Sequence, residues 1–150
     1  MARTDQPYVL LIDDNEATGA LIKAILREYQ VEIASDGAEA IERLKTTSYA
    51  AVLLDIRMPN VDGFGVLDFL SANHPEVLRC VIVLTAAVTA ADLSKVREYP
   101  IAAIVTKPFE VETILNTVRA CVGNSGGSLG NVLSSGMILL IADLLRQRWL

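Results

Sequence analysis

Long apolar runs, cysteines, aromatics and a basic excess are all scarce in this chain. Its 150 residues include two cysteines, one histidine, one tryptophan and only 5% aromatics. No stretch approaches the roughly 20 consecutive apolar residues of a membrane-spanning helix. Cys80 and Cys121 lie in apolar surroundings and show neither a disulfide framework nor metal-ligand spacing, so they read as buried thiols. There is no P-loop and no Gly-rich dinucleotide fingerprint. The first seven residues, Met-Ala-Arg-Thr-Asp-Gln-Pro, lack the apolar core of a signal peptide, which predicts a cytoplasmic protein. A net charge of −5 argues against nucleic acid as a direct partner.

What the chain does contain is core material. Hydrophobic residues make up 52% and charged residues 21%, with a mean hydropathy of +0.40. A domain of this length buries about 68–70% of its unfolded surface and needs no covalent staple.

Five apolar runs alternate with five helical patterns. Residues 8–12, 31–34, 51–55 (or 56), 80–84 and 102–106 read as strands. Between them, Ala17, Ala20, Leu21, Ala24 and Ile25 recur at helical spacing, and Asn15 and Glu16 suit a helix start. Asp36-Gly37 leads into a second helix with Ala40, Ile41 and Leu44 inward. The Pro, Asn, Asp and Gly of residues 58–63 mark a loop. A third helix follows, with Phe64, Leu67 and Leu70 on one side, ending near Asn73-His74-Pro75. Residues 89–98 make a fourth helix, and Val111, Ile114, Leu115, Val118 and Val122 a fifth. His74 at a helix end reads as a surface or capping histidine. Such alternation predicts a parallel sheet with helices on both faces, its ligand site outside the carboxyl ends of the strands.

Asp55 closes the apolar run Ala51-Val52-Leu53-Leu54 and precedes Ile56-Arg57-Met58-Pro59. Alone, it could be a cap or a chemical group. Asp14 alone could cap a helix, and Thr85 alone could be a turn residue. But strand one also ends in Asp13-Asp14, strand four in Thr85 and strand five in Lys107-Pro108. In a parallel sheet these groups share one edge. Two carboxylates about 4 Å apart repel by roughly 4 kcal/mol at an effective dielectric of 20, so three need cations. Lys107 supplies one, and Mg2+ suits the rest because it takes a few carboxylates, keeps waters and bridges to phosphate. A carboxylate beside a metal, an amine and a hydroxyl can accept a phosphoryl group. The residues 58–63 do not form a Ca2+ loop, because the spaced ligands and final Glu are absent.

Ile12-Asp13-Asp14-Asn15, Asp55-Ile56-Arg57-Met58-Pro59 with Asp62-Gly63, Thr85-Ala86 and Lys107-Pro108-Phe109 together resemble the motif set of response regulator receiver domains. The resemblance covers about residues 7 to 122. It implies a flavodoxin-like, doubly wound five-stranded parallel sheet of order 2-1-3-4-5. It implies Asp55 as phosphoacceptor, Asp13 and Asp14 as metal-binding acids, Thr85 as switch hydroxyl and Lys107 as the phosphate-contacting amine. The carbonyl of Arg57 would complete the Mg2+ shell, and the Lys107–Pro108 bond would be cis. The donor would be a phosphohistidine on a sensor histidine kinase or histidine phosphotransfer protein. The domain would catalyse only its own phosphorylation and dephosphorylation.

Several positions depart from the family pattern. Ile104 stands where Tyr or Phe usually precedes the motif lysine by three, so the aromatic half of the usual switch is missing. Ala102 and Ala103 replace acids that serve dimer salt bridges in winged-helix regulators, and Tyr99-Pro100 replaces the usual Gly-Ala. Arg57 and Ala87 occupy the positions that tune dephosphorylation, and Ala87 cannot orient a water, which predicts a long-lived phosphoryl state. Two other classes fit these residues less well. An aspartyl phosphatase wants a second acid where Arg57 stands. A receiver-like binding module without phosphorylation is opposed by the complete acid set.

Residues 123–130 read as a Gly/Ser-rich linker between a receiver domain at 1–122 and an apolar helix at 131–150. In that last segment Leu133, Met137, Leu140, Ile141 and Leu144 share a face, widened by Ile138, Leu145 and Trp149. Docking or self-association, a membrane-surface helix, and a remnant of a truncated output region or appended scar remain open. No output domain is recognisable after the receiver motifs, so the expectation is a stand-alone regulator acting through protein–protein contacts. A homodimer through the last helices or the tail is one option, and membrane association is not favoured.

Overall fold

A computed structural model describes residues 6–58, 61–86 and 89–123. Ala87, most of the expected linker and the apolar segment at 131–150 lie outside the described residues.

The elements run β1 (Tyr8–Ile12), α1 (Glu16–Ile25), β2 (Gln30–Ala34), α2 (Gly37–Thr46), β3 (Ala51–Asp55), α3 (Gly63–Asn73), a 3-10 turn (Pro75–Cys80), β4 (Val81–Thr85), α4 (Ala90–Val96), β5 (Ala103–Thr106) and α5 (Val111–Gly123). All four strand pairings are parallel, in the order β2-β1-β3-β4-β5. This is the flavodoxin-like doubly wound sheet.

Strand composition follows position. β3 and β4 are buried at every residue and are apolar up to their last residues, Asp55 and Thr85, as strands covered on both faces require. The edge strand β2 is only partly covered. Successive side chains divide between two cores. Leu10, Ile12, Val52, Leu54, Val83 and Ile104 point to the face of α2, α3 and α4. Val9, Leu11, Leu53, Ile82, Leu84 and Val105 point to the face of α1 and α5.

Side-chain caps start four helices. Asn15 accepts from the Thr18 amide, Asp36 from Glu39, Asp62 from Gly65 and Thr89 from Asp92. Glu39 reaches back to the Ser35 amide at 3.0 Å, so α2 is capped reciprocally.

Five element boundaries differ from expectation: β2 begins one residue earlier, at Gln30, β5 one residue later, at Ala103, and the other three follow from local chemistry. Pro75, with no N–H to leave unsatisfied, opens a 3-10 turn that absorbs Cys80, so β4 runs one residue later and includes Thr85. α4 is shorter than the expected 89–98, because Thr89 is its cap and Arg97 its C-cap. α5 continues through Gly123, the first residue assigned to the linker.

Helical spacing alone does not say which face of α1 turns inward. The helical stripe Ala17, Ala20, Leu21 and Ala24 faces solvent, with Leu21 46% exposed, while Gly19 and Ile22 are buried. A Cβ on Gly19 would lie 2.9 Å from Cδ1 of Ile33 in β2. The small residue brings α1 close to the sheet and sets which face turns inward.

Candidate functional site

The sheet register gathers the predicted residues. Ile12 is aligned with Leu54, so Asp13 follows β1 beside the Asp55 that ends β3. Thr85 and Thr106 are partners at the ends of β4 and β5, and the Lys107 amide extends that ladder to the Thr85 carbonyl at 2.8 Å. Oxygen atoms of Asp13, Asp14 and Asp55 all lie within 4.8 Å of one another. Lys107 Nζ donates to Asp13 Oδ2 at 2.7 Å and to Asp55 Oδ2 at 3.4 Å. The other oxygens of these acids are held by the backbone. Asp13 Oδ1 accepts from the Asn15 amide at 2.9 Å, and Asp55 Oδ1 from the Arg57 amide at 3.0 Å. Asp13, Asp55 and Thr85 are buried, while Asp14 is exposed. The Lys107–Pro108 bond is cis.

Burial pushes the Asp55 carboxyl above the usual carboxylate value, and Asp13 adds to this. The Arg57 amide and the Lys107 ammonium act in the other direction without cancelling it. For Lys107, burial favours the neutral amine, but the hydrogen bond to Asp13 and the charges of Asp55 and Asp13 prevail, so its ammonium is strengthened.

Three acids of which two are buried, with a single amine among them, form a donor set for a hard cation. Oxygens sharing an octahedral Mg2+ at 2.0–2.1 Å stand roughly 3–4 Å apart. The three carboxylates come close to that spacing, so Mg2+ fits with little adjustment or with one carboxylate reached through water.

A family model described as the response regulator receiver domain matches residues 9–119. The chain belongs to that family. This receiver is 32% identical over 144 residues to the uncharacterized transcriptional regulatory protein YkoG of Bacillus subtilis, across 93% of this chain and 60% of that protein. It is 30% identical over 120 residues to the signal transduction histidine-protein kinase BarA of Escherichia coli, across 79% of this chain and 13% of that protein. The chain therefore spans less than two thirds of the length of these relatives. Among solved structures, the receiver domain of the Francisella response regulator 1452 superposes with TM-score 0.72 at 25% identity, covering 80% of this chain and 99% of that one. The receiver domain of the Pseudomonas aeruginosa sensor histidine kinase PA1611, which has a magnesium ion coordinated in its active site cleft, gives 0.71 at 26% identity, covering 79% and 99%. Receivers are signalling domains of two-component systems, and among the described residues no helix is long and apolar enough to cross a membrane.

Two features of this receiver were not anticipated from sequence. The Arg57 guanidinium pairs with Asp92 of α4, Nη2 to Oδ2 at 2.5 Å. Partial burial works to raise the Asp92 carboxyl, but its bonds to Arg57 and Thr89 hold it below the usual range. Nothing in the sequence marks a partner 35 residues away. The second is the packing of Ile104, whose departure from the family aromatic the sequence already shows: it is 3% exposed and lies in the same apolar cluster as Leu93 and Val96 of α4. It is core packing at the position where the family carries its mobile aromatic. His74 is the C-cap of α3 and stands edge-on to Phe69, which agrees with its capping role.

Proposed function

We propose that this receiver is phosphorylated on Asp55 by a phosphohistidine of a sensor histidine kinase or histidine phosphotransfer protein. The observation that carries the reading is the triad of carboxylates around one lysine, with Lys107 reaching both Asp13 and Asp55. A carboxylate oxygen of Asp55 bonds to phosphorus as the P–N bond breaks, and the imidazole leaves with the electron pair. Asp13, Asp14, Asp55 and the Arg57 carbonyl hold Mg2+, which when bound supplies positive charge against the phosphoryl oxygens. Lys107 leaves its 3.4 Å contact with Asp55 Oδ2 for a phosphoryl oxygen, and Thr85 donates its hydroxyl to another.

The domain turns over only its own phosphoryl group and acts in the cytoplasm through protein contacts. The exposed stripe Ala17, Ala20, Leu21 and Ala24 starts beside Asp13 and Asp14 and offers an apolar surface to a phosphoryl-donating partner. The segment at 131–150 supplies the contact for output or self-association. An aspartyl phosphatase is disfavoured because Arg57 occupies the place of its second acid and its guanidinium is engaged by Asp92.

The test is incubation with acetyl phosphate and Mg2+, followed by intact-protein mass spectrometry. The expected result is a base-labile gain of one phosphoryl group that is absent in Asp55→Ala. No gain, or a gain that survives in Asp55→Ala, would overturn the proposal. Turnover of many phosphate esters per protein would favour the phosphatase.

A further inference from the structure

The seven-residue helix α4 is tied to its neighbours by three polar contacts on the α3 side. Arg57, two residues beyond the phosphoacceptor, pairs with Asp92. Lys95 Nζ lies 4.1 Å over the Phe64 ring of α3. The Tyr99 hydroxyl, just past the helix, donates to Asp68 Oδ1 of α3. Beneath them only Leu93 and Val96 enter the core. Of the three ties, only Arg57–Asp92 leads to the phosphoacceptor, because the Arg57 amide is already hydrogen-bonded to Asp55 Oδ1.

We propose that Arg57–Asp92 is a latch that holds α4 in place while Asp55 is unmodified and that phosphorylation opens. This rests on the reading of Asp55 as phosphoacceptor. A phosphoryl group on Asp55 places close to two negative charges beside a backbone from which the Arg57 side chain springs. The guanidinium then has two competing acceptors, and the phosphoryl oxygens offer planar bidentate pairing and the larger charge. When Arg57 moves to the phosphoryl group, Asp92 loses its cation. The first turn of α4 keeps only the Thr89 cap, and the α3–α4 seam loosens around Phe64, Asp68, Lys95 and Tyr99. The latch thus couples the site to α4 by charge, without the aromatic that Ile104 replaces.

Amide hydrogen exchange across residues 90–96 tests the latch in the full chain, with intact mass recorded on the same samples. Phosphorylation of the unmodified protein should speed exchange there by about two- to fivefold, the range of one partly exposed ion pair. Asp92→Asn, without any phosphoryl group, should reach the same exchange and gain little more on phosphorylation. Arg57→Ala keeps the favourable acid in the first turn of α4 and should do the same, which separates loss of the latch from loss of a helix-dipole partner. Circular dichroism verifies that both variants are folded, and Arg57→Gln or Asp92→Ser, which also removes the ion pair, replaces either one that is not. A full phosphoryl mass gain with unchanged exchange at 90–96 would refute the latch and leave the phosphoacceptor reading intact. Faster exchange on phosphorylation combined with unaltered exchange in unphosphorylated Asp92→Asn would also refute it. Absence of any mass gain would instead sink the phosphoacceptor reading on which the latch depends.

Discussion

Asp55→Asn is expected to stabilise the fold at neutral pH in the presence of a chelator. Lys107 at 3.4 Å attracts Asp55 by about 5 kcal/mol at an effective dielectric of 20. Each neighbouring carboxylate, at up to 4.8 Å, repels it by about 3.5 kcal/mol, with the share of exposed Asp14 reduced by solvent. These charge effects nearly offset each other. What remains is the cost of keeping a buried carboxylate ionised, which asparagine does not bear, while its Oδ1 can still accept from the Arg57 amide. The raised proton affinity of Asp55 gives the same sign. A net gain of about 1 kcal/mol corresponds to a rise in Tm of about 3 to 6 °C, or a urea midpoint about 0.5 M higher.

The pH dependence follows from the same group. Its proton affinity is higher in the folded chain than the ordinary value of 3.8, so its stabilising contribution is complete below 3.8 and is lost as pH rises through the folded value. The advantage of Asp55→Asn should therefore vanish in strong acid, appear across the window just above 3.8, and stay constant to pH 7. Urea titrations of both proteins at several pH values, with equal m-values, measure this directly. Millimolar Mg2+ should narrow the difference by favouring the ionised triad. An asparagine variant that is no more stable at pH 7, or whose advantage is the same at pH 3.5 and pH 7, would refute this account of the site.

Lys107→Ala acts in the opposite direction, because it leaves the fully buried Asp13 side chain with no cation. A loss of about 3 kcal/mol in chelator is expected by thermal or urea unfolding, partly recovered by Mg2+. Gly63→Ala would place a Cβ 2.6 Å from Ile56 Cα and 2.8 Å from the Asp55 carbonyl oxygen. Because backbone must shift, about 2–3 kcal/mol should be lost, measured as a lower urea midpoint at unchanged m.

The site was legible in the sequence because each of its residues stands where an apolar run stops. A parallel sheet turns four such stops into one edge, and the observed register, Ile12 beside Leu54 and Thr85 beside Thr106, is the simplest way of doing so. The orientation of α1 was not legible. Its alanines recur at helical spacing and count as apolar, yet they bury little, while Gly19 decides the packing by its lack of a side chain. Hydropathy patterns register what a residue dislikes and carry no record of how closely two backbones can approach. Arg57–Asp92 was hidden for another reason: charged surface residues have many possible partners, and only the fold selects one.

Ile104 shows where the two kinds of information meet. A β-branched side chain has one strongly preferred χ1 in many settings and no polar end to exchange between partners. Buried with Leu93 and Val96, it has nowhere else to go, so it can transmit displacement only by moving the helix with it. A two-state signal between Asp55 and α4 needs a group with two alternative partners. Among the described residues joining the two, Arg57 has such a choice once Asp55 is modified, because its backbone contacts the acceptor and its guanidinium holds the helix. The loss of an aromatic from β5 then places the burden of coupling on an ion pair. Coupling of that kind should weaken with ionic strength, as coupling through a buried aromatic would not.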